Sequence, residues 1–253
     1  MNQEQREKIL INCLLTESNI KTEVPIDEYS RKRLLRALFN IRLPKSADDE
    51  FIRIQNEYLQ GEIESKGITQ ISDLVPIISD IYLWKGDITT LKVDAIVNAA
   101  NSRMLGCFCP NHGCIDNAIH TFAGIQLRKE CNDIMKGKEL ITSEVVVTKA
   151  YNLPSKYIFH TVGPIVFRKV TDKNKTELSQ CYENCLKKAD ELNISSIAFC
   201  CISTGEFGYP KSEAAKLAVN TVKEYKMRTN SKIQVVFNVF SEVDYEIYKG
   251  LLV

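Results

Sequence analysis

The sequence predicts an α/β fold with a largely parallel sheet, preceded by a helical N-terminal extension. From about residue 71 the chain alternates between apolar strand-like runs and amphipathic helical stretches. Two of the runs, at 196–202 and 233–240, are continuous and rich in β-branched residues, which is typical of strands buried on both faces. The first 70 residues instead carry apolar side chains at helical spacing.

The N-terminal residues are predicted to be helices that pack on the main domain. Apolar stripes at helical spacing occupy 9–14, 26–39 and 51–58, and Pro25, Pro44 and Gly67 punctuate them. No chemical motif accompanies these stripes. We therefore assign residues 1–70 to a helical extension and residues 71–253 to the main domain.

The elements of the main domain follow from the same patterns. Strands are predicted over 77–83, 95–98, 145–148, 157–162, 196–202 and 233–240. Helices are predicted over 116–133, 177–192, 212–226 and 243–252. Ligands of such sheets bind at the carboxyl ends of the strands. This rule singles out three loops, at 84–90, 98–116 and 203–210.

Composition disfavours several classes of protein. With 253 residues, 44% of them hydrophobic, the chain suits one large domain, or one of ordinary size with an extension. The 33 basic and 32 acidic residues give no surplus for nucleic acid, and no aromatic-basic stripe is present. The polar start lacks a signal-peptide core, and no apolar run approaches the roughly 18 residues of a membrane span. Nine cysteines, an odd number, indicate a reducing cytoplasm.

The loop at 98–116 holds a dense group of metal-binding residue types. Twelve cysteines and histidines in 253 residues predict about 0.4 in any eight-residue window, yet Cys107, Cys109, His112 and Cys114 share one. Thiolate and imidazole are donors that zinc prefers. We predict Zn²⁺ bound by Cys107, His112 and Cys114, with a fourth position open to water or substrate. Alternatively, Cys109 is a fourth ligand, which would close the site and make the zinc structural.

The other loops allow both functional and structural interpretations. Ser203 and Thr204 precede two glycines, so the loop either forms an anion-binding nest or is an ordinary strand-to-helix turn. Asp87 could accept a hydrogen bond from an exocyclic amine, although capping a turn is the simpler role. Asn101 suits a sugar diol but is also a common turn former. His120 and His160 lack ligand spacing and are not assigned a role.

Four ordered segments resemble the signatures of the macrodomain family. They are Gly86-Asp87-Ile88-Thr89, the run Asp94 to Asn101, the run Cys114 to His120, and the run Ser203 to Pro210. The resemblance covers about residues 70–253. It implies a three-layer α/β/α sandwich with a central mixed six-stranded sheet that binds ADP-ribose.

One departure from the common macrodomain pattern is informative. Most hydrolytic macrodomains have a glycine-rich loop where this chain has Gly106-Cys-Phe-Cys-Pro-Asn-His-Gly-Cys114. This replacement and the helical extension are similar to a zinc-containing branch found in bacteria and fungi. The resemblance implies protein-ADP-ribose hydrolase activity, with zinc ligands at Cys107, His112 and Cys114, in agreement with the spacing.

The resemblance also implies a role for individual residues. The implied ADP-ribose-binding residues are Asp87, Ile88, Asn101, Ile115, Asp116, Ser203, Thr204, Gly205, Glu206 and Phe207. Asp87 would hold the adenine amine, Ile88 would contact the base through its backbone, and Phe240 would wall the adenine pocket. Ile115 and the 203–207 loop would wrap the diphosphate. Asn101 and Asp116, beside the distal ribose, are the implied catalytic pair.

These assignments describe a zinc-dependent hydrolase that removes mono-ADP-ribose from modified proteins. Asn101 would orient a ribose hydroxyl, and Asp116 would accept a proton or steady the attacking water. Zinc would engage either the distal ribose or that water. Because two thiolate ligands weaken the acidity of the zinc ion, the alternative that zinc mainly positions the reacting groups stays open. The rival function is a non-catalytic ADP-ribose reader with a structural zinc.

The expected partners follow from the same resemblance. The substrate is a mono-ADP-ribosylated protein, and the branch is linked with a lipoylated carrier protein modified by a sirtuin-type transferase. Neither nucleic acid nor a membrane is expected as a partner, and the protein is expected to be a monomer.

Overall fold

The computed structural model describes all residues from 1 to 253 and begins with three helices, as predicted. They are α1 (Gln3–Ser18), α2 (Glu28–Ile41) and α3 (Asp49–Lys66). Each begins at a polar residue, Asn2, Asp27 or Asp48, whose side chain accepts a main-chain N–H of the first turn. Such caps satisfy donors that a helix start otherwise leaves free.

Strands and helices alternate through the rest of the chain. The strands are β1 (Thr69–Gln70), β2 (Ile81–Lys85), β3 (Leu91–Lys92), β4 (Ala95–Ala99), β5 (Val145–Lys149), β6 (Tyr157–Thr161), β7 (Ser196–Phe199) and β8 (Gln234–Val239). The helices are α4 (Ile115–Ala123), α5 (Ile125–Met135), α6 (Asp172–Glu191), α7 (Lys211–Thr229) and α8 (Glu242–Leu252). The predicted alternation is therefore confirmed.

The main sheet has six strands in the order β2-β8-β7-β4-β6-β5. All neighbours pair in parallel except β5, which runs antiparallel to β6. The strands β7 and β8 are buried almost throughout, which explains the continuous runs at 196–202 and 233–240. With helices packed on its two faces, this is the mixed six-stranded α/β/α sandwich that was predicted.

Two apolar cores lie side by side. The larger contains 47 buried residues from the sheet and its helices, and the smaller contains 12, nearly all from α1, α2 and α3. Ile125, at the start of α5, belongs to the smaller core, so the helical extension packs directly on the main domain. Ile26 and Tyr29 were predicted on an apolar stripe, yet they are 96% and 70% exposed.

Two predicted elements were placed wrongly. The helix predicted over 116–133 is two helices, because Gly124 adopts φ +98° and ends the first of them. A side chain there would be strained, and its Cβ would approach Gln55 Nε2 to 2.7 Å. The strand predicted from residue 77 begins at Ile81, because Ile78 pairs back onto Ile81 and Asp80 turns the chain with φ +58°.

No helix of this fold is both long enough and apolar enough to pass through a lipid bilayer.

Arg128 connects the two parts of the molecule through its buried guanidinium. It donates hydrogen bonds to the carbonyls of Phe39 (3.0 Å) and Asn40 (2.9 Å), to that of Arg42, and to Leu105 O (2.6 Å). The first three carbonyls lie at the C-terminal end of α2, where helical carbonyls lack partners within the helix. One side chain therefore satisfies the end of α2 and holds the loop that follows β4.

We expect Arg128→Ala to lower the free energy of unfolding by about 3 kcal/mol, because it leaves several buried carbonyls without a donor. Urea denaturation followed by circular dichroism measures the loss. Lys129→Ala is the matched control, since Lys129 forms only an exposed pair with Asp133 in the same helix and such a pair contributes at most about 0.5 kcal/mol. Equal losses in the two variants would contradict this role of Arg128.

Candidate active site

Three predicted metal ligands come together in the loop between β4 and α4. The donor atoms of Cys107, His112 and Cys114 lie within 4.8 Å of one another, and Cys107 Sγ is 3.5 Å from His112 Nδ1. Cys109 is exposed and does not belong to this group. The structure brings Cys107, His112 and Cys114 together and leaves Cys109 outside the group.

The donor set suits a zinc ion. Two sulfurs and one imidazole nitrogen are ligands of the kind found in zinc sites with an open position. Burial raises the pKa of the Cys114 thiol to about 12, and the hydrogen bond from Asn117 N–H opposes the rise. The second ring nitrogen of His112 is 3.6 Å from Glu206 Oε1. A carboxylate facing the outer nitrogen of a metal-binding histidine fixes the ring orientation.

The backbone of this loop is shaped by residues in the left-handed region. Gly106 has φ +75° and Asn111 has φ +56°. At the end of the loop Cys114 caps α4, and its Sγ accepts the N–H of Asn117 at 3.4 Å. Cys114 is therefore both the helix cap and a candidate metal ligand, which fixes its sulfur relative to the first turn of α4.

Asn101 and Asp116, the predicted catalytic pair, contact each other beside the Cys-His loop. Asn101 Nδ2 donates to Asp116 Oδ2 and to Gly106 O, both at 3.1 Å. Asn98 Nδ2 donates to the other carboxylate oxygen at 2.8 Å. Burial raises the pKa of Asp116 to about 6, and the hydrogen bonds from Asn98 and Asn101 oppose the rise. The carboxyl group is thus held in one orientation.

Two buried histidines lie beneath this pair. His160 Nδ1 is 3.2 Å from Asn98 Nδ2, and His160 Nε2 is 2.9 Å from Thr148 Oγ1. Burial lowers the pKa of His160 to about 3, so its ring is neutral, and both ring nitrogens have partners within the core. His120 is also buried, with Nε2 3.6 Å from Asp116 Oδ1. His120 lies near the carboxyl group of Asp116, and His160 contacts Asn98, which donates to that carboxyl group.

A cavity of about 650 Å³ opens next to the Cys-His loop. Of the predicted ligand-binding residues, Asp87, Ile88, Ile115 and Phe240 line it. Asn101, Asp116 and the 203–207 loop are not among its lining residues. The cavity lining therefore includes four of the predicted ligand-binding residues, whereas the Asn101–Asp116 pair and the 203–207 loop lie outside it.

Asp87 caps a turn, which is the simpler of the two roles that its sequence position allowed. Its Oδ1 accepts the N–H and the hydroxyl of Thr89 at 3.0 and 2.6 Å, which caps a short 3₁₀ turn. Its Oδ2, in the cavity, accepts a hydrogen bond from Lys66 Nζ at 2.9 Å. Burial acts to raise the pKa of Asp87, but Thr89 and Lys66 outweigh it and hold that pKa below its usual value.

The loop at 203–207 approaches the Cys-His loop through Glu206, whose carboxylate faces His112. Ser203 is buried in a left-handed conformation, and its hydroxyl has no hydrogen-bond partner within the protein. Thr204 Oγ1 donates to Cys201 O at 3.0 Å. Helix α7 begins only at Lys211, so the N-terminus of the helix does not directly follow the predicted nest.

The helical extension supplies side chains that the sequence interpretation missed. Four cations line the cavity (Lys32, Arg33, Arg36 and Lys66), against two acidic residues (Glu62 and Asp87). All four belong to α2 and α3. A near-neutral protein therefore has a locally positive cavity, which favours an anionic ligand. Lysine or arginine on a polar helix face is usually solvated, so no sequence signal distinguishes these four.

Comparison with known proteins places this architecture in a family. A sequence model of the Macro domain matches residues 97–218. A Protein-ADP-ribose hydrolase of Treponema medium is 51% identical over 260 residues, covering all of both chains. A Protein-ADP-ribose hydrolase of Staphylococcus aureus is 49% identical over 220 residues, covering 85% of this chain and 82% of the relative. The chain belongs to the macrodomain family.

A solved structure shares the fold. The Trypanosoma brucei macrodomain in complex with ADP-ribose superposes with a TM-score of 0.68 at 30% identity. The match covers 86% of this chain and 95% of that one, so it extends beyond the region matched by the family model.

Gly106→Ala is expected to destabilise the protein by about 2–4 kcal/mol, through its left-handed backbone and a steric clash. A Cβ at this position would come within 2.6 Å of Cγ of the buried His120. Gly113→Ala, in the same loop, is the control, because its Cβ meets nothing within 4 Å. Urea unfolding of the metal-free proteins measures both. Similar stabilities for the two variants would show that the loop adopts another conformation.

Proposed function

We propose that this chain is a zinc-dependent hydrolase that removes mono-ADP-ribose from modified proteins. The observation that carries the proposal is the gathering of Cys107, His112 and Cys114 beside the hydrogen-bonded pair Asn101 and Asp116. Relatives named Protein-ADP-ribose hydrolase that match the chain along most or all of its length support the same reaction.

The ligand proposed for the site is ADP-ribose. Its adenine would occupy the cavity, with its exocyclic amine at Asp87 and its ring against Phe240, which lies at the cavity wall with its side chain largely exposed. The diphosphate would pass along Ile115 toward the loop at 203–207. The four cavity cations favour such a negatively charged ligand. This orientation brings the distal ribose to Asn101 and Asp116.

The reaction cleaves the bond between the anomeric carbon of the distal ribose and the acceptor atom of the modified protein. Water supplies the new hydroxyl on the ribose, and the acceptor atom leaves with the electron pair of the broken bond. The proton of the water passes to Asp116, whose carboxylate two asparagines hold in place, and from there to the acceptor atom or to solvent. Asn101 positions the ribose through its amide. Zn²⁺ held by the two cysteines and His112 would supply Lewis acidity and orientation at the distal ribose.

The cellular compartment is proposed from the state of the cysteines, and the partner from the resemblance to the zinc-containing branch. All nine cysteines are unpaired, which fits the reducing cytoplasm expected from the sequence. The mono-ADP-ribosylated target is proposed to be a lipoylated carrier protein modified by a sirtuin-type transferase, on the strength of the resemblance to the zinc-containing branch. The protein is proposed to act as a monomer.

Elemental analysis of the purified protein is expected to give one zinc per chain. Cys114→Ala should lose the metal and at least 100-fold in turnover of a mono-ADP-ribosylated protein, because a ligand and its charge are removed. Cys109→Ala is the matched control and should keep both zinc and activity, since its thiol lies outside the donor group.

Two results would contradict this account. If Cys114→Ala folds and turns over as the wild type does, zinc takes no part in the reaction. If the wild type binds ADP-ribose but releases none from a modified protein, the chain is a reader module. Chelator treatment followed by separate assays of folding and turnover distinguishes a catalytic zinc from a structural one.

Asp87→Ala is expected to weaken ADP-ribose binding about 10- to 100-fold, the cost of losing one charge-assisted hydrogen bond. Isothermal titration calorimetry measures the change. Asp73→Ala is the control, because Asp73 also accepts a main-chain N–H at a 3₁₀ turn but does not line the cavity. An equal loss of affinity in both variants would mean that Asp87 acts only on the local backbone.

A further inference from the structure

We propose that helix α2 of the N-terminal extension belongs to the catalytic centre, with Arg36 as a positioning residue for the metal ligands. Arg36 acts through Asn117, which connects it to the loop from Cys107 to Cys114. The inference rests on the proposed function, in that this loop holds zinc.

Arg36 lines the cavity and bonds directly to the loop. Its Nε and Nη2 both donate to Asn117 Oδ1, at 3.1 and 2.7 Å. Nη2 also donates to the carbonyl of His112 at 3.1 Å. The guanidinium therefore bonds at once to a residue of α4 and to the backbone of a candidate ligand. Such a planar, multiple contact restricts both partners.

Asn117 transmits this restriction to both cysteine ligands. Its side chain is fully buried. Its Nδ2 donates to Cys109 O at 3.0 Å and to Cys107 O at 3.5 Å, while its main-chain N–H donates to Cys114 Sγ at 3.4 Å. With its carbonyl oxygen occupied by Arg36, the carboxamide can present only its NH₂ group to the loop. Arg36 thus fixes the orientation in which Asn117 holds the loop.

Helix α2 contacts the loop directly at one further point and indirectly, through a residue of α5, at another. Asn40 Oδ1 accepts the N–H of Asn111 at 2.9 Å, at the left-handed turn before His112. Arg128, which binds the end of α2, also lies over the ring of Phe108 at 4.3 Å. The loop is thus held along its length by α2 and by side chains that α2 orients.

Preorganisation explains why these contacts matter for a metal. A short loop that must bring three donors to one point loses conformational entropy on binding unless it is already ordered. Groups that orient metal ligands from outside typically contribute 10- to 100-fold in metal affinity.

The test compares zinc release from three variants loaded with the metal. Arg36→Ala and Arg36→Lys should release zinc to a chromogenic chelator about 10- to 100-fold faster than the wild type. Lysine keeps the charge but lacks the planar fork that bonds Asn117 and His112 together. Arg33→Ala is the matched control and should stay within about twofold, because Arg33 lines the same cavity but bonds only Tyr29, at 3.4 Å.

Cobalt substitution gives a readout that a general loss of stability would not produce. The visible absorption of Co²⁺-loaded protein reports the geometry of its ligands, and we expect it to change in both Arg36 variants and not in Arg33→Ala. Asn117→Ala should release zinc as fast as Arg36→Ala, and the double variant no faster, because the two residues act in one chain of contacts.

The outcomes separate this inference from the proposed function. If the wild type holds zinc and the Arg36 variants release it no faster than Arg33→Ala, Arg36 has no positioning role, whereas the proposed function is unaffected. If the wild type binds no zinc, the metal-dependent function fails and the inference fails with it. Should Arg36→Ala not fold, Arg36→Lys and its cobalt spectrum decide.

Discussion

The buried carboxamide of Asn117 is the contact on which the candidate site depends. It lies in the first turn of α4 and joins the guanidinium of Arg36, 81 residues away in the extension, to the carbonyls of Cys107 and Cys109. Because Asn117 is adjacent to Asp116, the same turn of α4 sets the position of the proposed proton acceptor. The Cys-His loop, the carboxylate of Asp116 and the wall of the cavity are therefore all positioned by this turn of α4.

The charges of this protein are distributed unevenly over its surface. The chain as a whole is nearly neutral, yet the cavity carries four cations and two acidic groups. All four cations come from helices that precede the sheet, so the extension supplies what the sheet and its loops lack. Lys66 also bonds Asp87, so an adenine amine would have to share this carboxylate with an ammonium group already in place. The extension is in this way tied to both ends of the proposed nucleotide site.

Much of the fold could be predicted from the sequence because the buried strands β7 and β8 lie in continuous runs rich in β-branched residues, which stand out between amphipathic helices. The three donors could be grouped because they are close in sequence. The break at Gly124 was missed because the helical pattern continues through this residue. The close approach of Gln55 to Gly124 depends on the packing, which the pattern does not show. Arg36 and Lys66 were missed because their partners are 81 and 21 residues away, and sequence spacing contains no information on such contacts.

X-ray absorption at the zinc edge is the sharpest test of the proposed zinc centre, because it identifies and counts the atoms around the metal. We expect two sulfurs at about 2.3 Å from the zinc and lighter atoms at about 2.0–2.1 Å, one of them an imidazole nitrogen. In the presence of ADP-ribose the sulfur count should stay at two while the light-atom shell changes. A shell of three sulfurs, or purified protein without zinc, would contradict a metal centre with a position open to the substrate.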